Sequence, residues 1–315
     1  MEIIKVKFVD FWFGFDPYNN FFFKTLSTKF KVELSDTPAI LIFSCFGFEY
    51  LKYDCIKVFY SAENVRPDFT GCDYAITFYY NNHPRHFRLP LYALYIDQIG
   101  SIDKLLETKT REQALEIWRN KTKFCCMVVS NAASQKRLDF FKDLSKYKHI
   151  DSGGKVMNNI GGPVKDKMSF IKDYRFVISF ENSSHPGYTT EKIIEPLMAD
   201  CIPLYWGDPL ISLDFNTGSF LNLGPTKTIK KLIEEIIAID SDEEKAVNML
   251  TESRFTNGTI PEHIKGEKLI QFYEKIIAES VGKIPVSKTG KRYFHLFKIK
   301  KRYYTNRVKE ILNMK

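Results

Sequence analysis

Between Phe180 and Lys192 the chain reads FENSSHPGYTTEK, a polar stretch broken by Pro186 and Gly187 and set between two apolar runs. Thr189 or Thr190 is a natural N-cap, which puts Glu191 and Lys192 in the first turn of a helix. Glu191 suits the positive end of the helix dipole, whereas Lys192 does not. The pair makes sense if an anion sits there, met by backbone N–H groups, the dipole and the lysine together. A charge-assisted hydrogen bond of that kind contributes roughly 1.5–3 kcal/mol. Gly187 allows close approach of the backbone, and Tyr188 adds a ring face and a hydroxyl. An ordinary capped helix with Lys192 in water explains the same residues. His185 reads as a loop residue rather than a base, and Pro196 predicts a kink or a helix end near Glu195.

Other stretches also carry groups suited to chemistry. Glu63, in FYSAENVRPDF, follows a buried strand. There it is either a general base facing a cleft or a turn residue. Arg137, in SNAASQKR, lies about two turns into a helix that starts near Asn131, and its guanidinium reaches either a phosphate or solvent. The two Gly-Gly pairs of DSGGKVMNNIGG bring backbone near a nucleotide or simply turn the chain, and they form neither a P-loop nor a dinucleotide fingerprint. The run Asp240-Ser241-Asp242 fits helix capping better than metal binding, and Ser241 with Glu244 makes a capping box.

The elements that must position these groups alternate. IIKVKFV, AILIFS, IKVFYS and YAITF read as strands, with NNFFFKTLSTKF as a helix among them. Residues 101–121 are charged and helical. A second series follows: strand FCCMVVS, helix AASQKRLDFFKDLSKY, strand RFVISF, helix TTEKIIEPLMA and strand CIPLYW. Further helices are expected over 230–239, 241–250 and 264–280. This rhythm predicts an α/β fold with mainly parallel sheets and ligands beyond the carboxyl ends of the strands. The expected domains are 1–120 and 121–285, with GKIPVSKTGK leading into a tail over 286–315.

Composition narrows the class. The chain has 315 residues, 44% of them hydrophobic, enough for two ordinary cores and against disorder. No apolar run approaches the roughly 18 residues of a transmembrane helix, and the start has no signal-peptide core. Six scattered cysteines show no metal-ligand spacing and read as buried reduced thiols in a cytoplasmic setting. The net charge is +8, yet residues 288–315 hold ten Lys or Arg against one acid, +9, which leaves −1 for the rest. A nucleic-acid-binding face spread over the body is therefore not expected.

Together these pieces resemble the α1,3/α1,4-fucosyltransferases of glycosyltransferase family 10, especially the soluble bacterial members. The densest match is FENS…GYTTEKIIEPLMADCIPLYWGDP; Tyr60-Ser-Ala-Glu63-Asn64, RLPLY and SNAASQKR follow the family order. The resemblance covers roughly residues 3–275 and implies a GT-B type fold, two Rossmann-like domains facing across a cleft, with a basic C-terminal helical tail. It implies an acceptor-binding first domain, a donor-binding second domain, GDP-β-L-fucose as donor and inversion to an α-linkage. Carried over by position, Glu63 is the general base, Arg137 and Lys192 are diphosphate ligands, and Glu191 meets the fucose hydroxyls. Asn182 and Tyr188 are further donor contacts. No metal ligand and no obligatory cofactor are implied, a divalent ion being at most stimulatory. The acceptor implied is a glycan containing galactose and N-acetylglucosamine, fucosylated at the GlcNAc 3-OH or 4-OH. The chain departs from the pattern at His185-Pro186 and lacks the heptad repeats of some bacterial members.

The tail segment 291–312 mixes aromatic, aliphatic and basic residues at helical spacing. It either lies on an anionic membrane surface, placing the protein at the inner face, or packs back on the first domain. Other readings are a GT-B transferase for another nucleotide sugar, a nucleic-acid-binding protein acting through the tail, and a non-catalytic glycan-binding protein.

Overall fold

The computed structural model describes residues 3–100 and 102–313, with side chains as far as Thr305. Alternating strands and helices build two parallel sheets. In the first, β1 (Ile3–Val9), β2 (Lys31–Leu34), β3 (Ile40–Phe43), β4 (Ile56–Ser61), β5 (Tyr74–Thr77) and β6 (His86–Arg88) lie in the order β2-β1-β3-β4-β5-β6. In the second, β7 (Lys123–Met127), β8 (Ile150–Ser152), β9 (Tyr174–Phe180), β10 (Ile202–Trp206) and β11 (Leu221–Asn222) lie in the order β11-β10-β9-β7-β8. Every pairing is parallel. Strand order reverses between β1 and β3 and again between β7 and β9, and at such points crevices open beyond the carboxyl ends.

All seven strands expected from apolar runs are present. The four that the runs did not show, β2, β6, β8 and β11, are the four sheet edges. Edge strands need no apolar face on both sides, and β2 alternates exposed and half-buried residues.

The helices are α1 (Phe21–Ser27), α2 (Leu91–Ile99), α3 (Ile102–Leu106), α4 (Arg111–Asn120), α5 (Gln135–Ser145), α6 (Lys167–Ile171), α7 (Glu191–Met198), α8 (Ile229–Asp240), α9 (Glu243–Thr251), α10 (Gly266–Ser280) and α11 (Lys291–Asn313). The charged stretch before residue 121 is thus several short helices. Gly100, at φ 59°, ends α2, and a Thr110–Gln113 capping box starts α4. The N-cap of α9 is Asp242, whose carboxylate accepts from Lys245 N–H at 3.3 Å, and not Ser241 with Glu244. Ser241 instead closes α8, donating to Ile237 O at 2.8 Å, while Glu244 pairs with Arg111 on α4.

The chain divides into two units, Met1–Leu89 with His263–Lys315, and Pro90–Glu262. The divide expected near residue 120 therefore falls earlier, and the C-terminal segment returns to the first unit. Packing explains both. Trp118 of α4 is buried edge-on against Phe176 of β9, with ring centres 5.9 Å apart, inside the core of the second unit. Phe272 of α10 packs on Tyr74 and Phe87 of the first. The expected linker is not free chain either: Val286 is buried, and its N–H donates to Asp73 at 3.0 Å.

The start of α11 packs on the first unit. Arg292 pairs with Asp54 at 2.9 Å, Lys298 reaches Asp68 at 3.1 Å, and His295 lies 2.7 Å from the Tyr50 hydroxyl. Ile299 joins the cluster of Phe43 and Phe59. No described helix is long and apolar enough to cross a membrane. The tail side chains beyond Thr305 lie outside the described residues.

Candidate active site

In the second unit, β9 ends at Phe180, whose ring stacks on Phe140 of α5 with centres 4.6 Å apart. That packing sets the next residue, Glu181, at the switch-point edge with no solvent exposure. Its carboxylate accepts from Thr190 N–H at 2.8 Å and from the Thr190 hydroxyl at 2.8–2.9 Å. Thr190 is thus the N-cap of α7 by position, but its hydroxyl serves Glu181 instead of the helix N–H groups. Gly207, after β10, lies against Glu181 so closely that a Cβ there would meet the Glu181 Cγ at 2.4 Å.

Lys192 points back at this carboxylate. Its Nζ lies 3.2 Å from Glu181, 3.2 Å from Glu191 and 3.0 Å from the Thr190 hydroxyl. Burial opposes charge on Lys192, but the two carboxylates outweigh it and hold the ammonium above the usual lysine range. Burial also works against Glu191, yet Lys192 and Lys167 outweigh it and keep its carboxyl below the usual range. Glu181 is different: burial dominates and raises it. One cation therefore stands between two acids, behind the first turn of α7.

The loop from Asn182 to Thr190 is tied down from below. His185-Pro186-Gly187-Tyr188 is a tight turn, with Tyr188 N–H donating to His185 O at 3.0 Å and Gly187 at φ 85°. Proline then glycine at the two central positions is the type II signature, so His185-Pro186 keeps the loop compact. Buried Asp208 accepts from Gly187 N–H at 2.8 Å and from the Thr189 hydroxyl at 3.1 Å. Tyr188 is buried, at 3% exposed.

Helix α5 starts at Gln135, so Arg137 lies in its first turn and not two turns in. The Asn131–Ser134 segment stays outside the helix, with Ala133 N–H donating to the Asn131 side chain at 2.8 Å. Arg137 is 1% exposed and aims at the β9 edge. It donates to Glu181 O at 3.1 Å, to Asn182 Oδ1 at 2.7 Å and to Asn131 O at 3.1 Å. Its Nε is buried without a partner among the described residues. The first Gly-Gly pair is structural: a Cβ on Gly154 would meet Val129 O at 2.0 Å. Helix α7 continues through Pro196 to Met198, with Ala199 N–H bonded to Glu195 O at 3.0 Å, so the ring removes a ladder bond without ending the helix.

The structure thus brings Arg137, Asn182, Tyr188, Glu191 and Lys192 to one edge of the second sheet. Glu63 belongs to the first unit, just beyond β4. Its N–H donates to the Ser61 hydroxyl at 3.1 Å, which in turn donates to Glu63 O. Its carboxylate is exposed, and Tyr60 below it is buried between Phe11 and Phe22. Sequence reasoning missed Glu181 and Asp208. Both stand in the matched motif, one residue after β9 and two after β10, where a buried acid needs a nearby donor.

Two parallel doubly wound sheets in one chain, with a cation between carboxylates at one switch point, define a GT-B type fold. Residues 6–95 match the alpha-(1,3)-fucosyltransferase FucT N-terminal domain, and residues 118–251 match the glycosyltransferase family 10 (fucosyltransferase) C-terminal domain. The chain is 27% identical over 307 residues to the alpha-(1,3)-fucosyltransferase FucT of Helicobacter pylori, covering 84% of this chain and 64% of that protein. It is 32% identical over 151 residues to a putative fucosyltransferase of Acanthamoeba polyphaga mimivirus, covering 44% and 25%. The chain thus spans less than two thirds of the length of either relative. A crystal structure of an alpha1,3-fucosyltransferase superposes with TM-score 0.76 at 24% identity, over 91% of this chain and 92% of that one. One with GDP-fucose superposes with TM-score 0.72 at 24% identity, over 88% and 91%. At that identity the likeness establishes the fold. The chain belongs to glycosyltransferase family 10.

Proposed function

We propose that this protein transfers L-fucose from GDP-β-L-fucose to the 3-OH or 4-OH of N-acetylglucosamine in a galactose-containing glycan, with inversion at the anomeric carbon. The observation that carries the reading is Lys192, held charged between Glu181 and Glu191 behind the first turn of α7. Family membership supports it, as do the names of the relatives.

Glu63 is the general base in this scheme. Its carboxylate takes the proton of the acceptor hydroxyl as that oxygen attacks the anomeric carbon. The carbon–oxygen bond to GDP breaks, and the diphosphate leaves with the bonding pair. Lys192 and the α7 N–H groups meet the growing negative charge, and Arg137 contributes through its Nε, which has no partner among the described residues. Asn182, held by Arg137, and Tyr188 contact the donor, and Glu191 accepts from the sugar hydroxyls. The cations supply the stabilisation without an obligatory metal.

The test is transfer from GDP-fucose to N-acetyllactosamine in EDTA, with the product linkage read by NMR. An α-linked product is expected. Glu63→Gln is expected to lower kcat by about 10²–10⁴-fold while GDP affinity stays unchanged. Turnover only with another nucleotide sugar, a β-linked product, or full activity of Glu63→Gln overturns the reading. Loss of activity in EDTA overturns the metal-free part alone.

A further inference from the structure

A cavity in the first unit lies beside the Glu63 turn, with Val65 and Arg66 in its lining and Cys45 meeting the Ser61 hydroxyl at 3.7 Å. It has a volume of about 760 Å³ and is lined by residues of the sheet and of α11. That is the size of a small-molecule site. Its wall is apolar where Phe43, Phe59, Val65 and Ile299 meet.

The charge of the lining shows that a purely apolar occupant does not suit it. Arg66, Lys300 and Arg302 line the cavity. Arg66 hydrogen-bonds only Asn64, and none of the three cations meets a carboxylate among the described residues. The single acid of the lining, Asp68, is already engaged by Lys298 and His295. Excess positive charge thus surrounds an apolar wall.

We propose that this cavity binds a lipid phosphate, a phosphate ester on a hydrocarbon chain. The phosphate takes Arg66, with Lys300 and Arg302 closing over it from α11. The chain lies along Phe43, Phe59 and Ile299. A neutral lipid leaves the three cations unmet, and inorganic phosphate leaves the apolar wall wet. Because the ligand touches both the sheet and α11, binding also fastens the helix to the first unit.

The experiment is isothermal titration of the full chain with octyl phosphate below its micellar concentration, beside octanol, inorganic phosphate and GDP. Octyl phosphate is expected to bind at least tenfold more tightly than octanol or inorganic phosphate. Each further methylene should tighten binding roughly three- to fourfold. Arg66→Ala combined with Arg302→Ala should weaken octyl phosphate at least tenfold and leave octanol unchanged. Val65→Trp, which fills the cavity, should abolish both. Circular dichroism checks the fold of each variant, and the exposed arginine pair keeps the test open should Val65→Trp fail to fold. GDP should not compete. Absence of binding, equal affinity for octanol or phosphate, competition by GDP, or indifference to the arginine pair overturns the proposal.

Discussion

Glu181 and Lys192 should be energetically coupled, and a double-mutant cycle measures the coupling. The perturbations are Glu181→Gln and Lys192→Met, alone and together. In the native protein the two groups lie 3.2 Å apart, with Glu181 fully buried and the Lys192 side chain 15% exposed. A hydrogen bond to a charged group contributes about 1.5–3 kcal/mol. Lys192 keeps Glu191 at 3.2 Å when Glu181 is lost, which places the coupling near 2 kcal/mol and not at the ~3–5 kcal/mol of a wholly orphaned buried ion. Urea unfolding gives each stability, and an unchanged slope certifies that the midpoint reports stability. The pH dependence supplies a second signature. Burial already raises the Glu181 carboxyl, and Lys192 is the strongest group lowering it. Removing Lys192 raises it further. A carboxyl with a raised folded pKa favours the folded state below its unfolded pKa, and that stability is lost as pH rises through the folded value. Lys192→Met should therefore lose stability relative to the native protein as pH rises above the ordinary carboxylate value of 4.5, and the double variant should not. A coupling within about 0.5 kcal/mol of zero, or a pH slope that persists in the double variant, would refute the claim that Glu181 holds Lys192.

Gly207→Ala should cost about 1–3 kcal/mol of stability, since its Cβ meets Glu181 Cγ at 2.4 Å; a thermal scan reads it, and a neutral result would mean the β10 edge yields freely. Asp208→Asn weakens the ties to Gly187 and Thr189, so GDP affinity should fall about tenfold with a stability loss of about 1–2 kcal/mol, both measurable by calorimetry. Burial raises the Asp68 carboxyl, but its bonds to Thr70, Lys298 and His295 outweigh that and bring it down to about 2. Its stabilisation is therefore present above the ordinary 3.8 and lost as pH falls toward 2. With the side chain 35% exposed, solvent screening reduces the effect to about 1 kcal/mol. Urea midpoints of native protein and Asp68→Asn should differ by that much at pH 6 and converge at pH 2; a gap that persists at pH 2 would show that the carboxylate charge does not fasten α11.

Periodicity and local chemistry determined a good deal by themselves. The seven inner strands were legible as mostly apolar runs: Ile40–Phe43 is wholly apolar and buried, and Ile56–Ser61 is interrupted only by Lys57 before its closing serine. The edges were not, since β6, β8 and β11 have only two or three pairing residues and β2 carries Lys31 and Glu33 facing out. The Glu191-Lys192 pair announced a charged helix start, because capping residues and charge order are written locally. Tertiary structure alone decided what that pair meets. Glu181 and Asp208 come to the loop through β-strand pairing and the approach of Gly207, and no local pattern says which acid a lysine will face. It also decided that α4 belongs with the second unit and α10 and α11 with the first. Those assignments rest on where Trp118, Phe272 and Ile299 find apolar partners, and burial is a property of the folded chain and not of the segment.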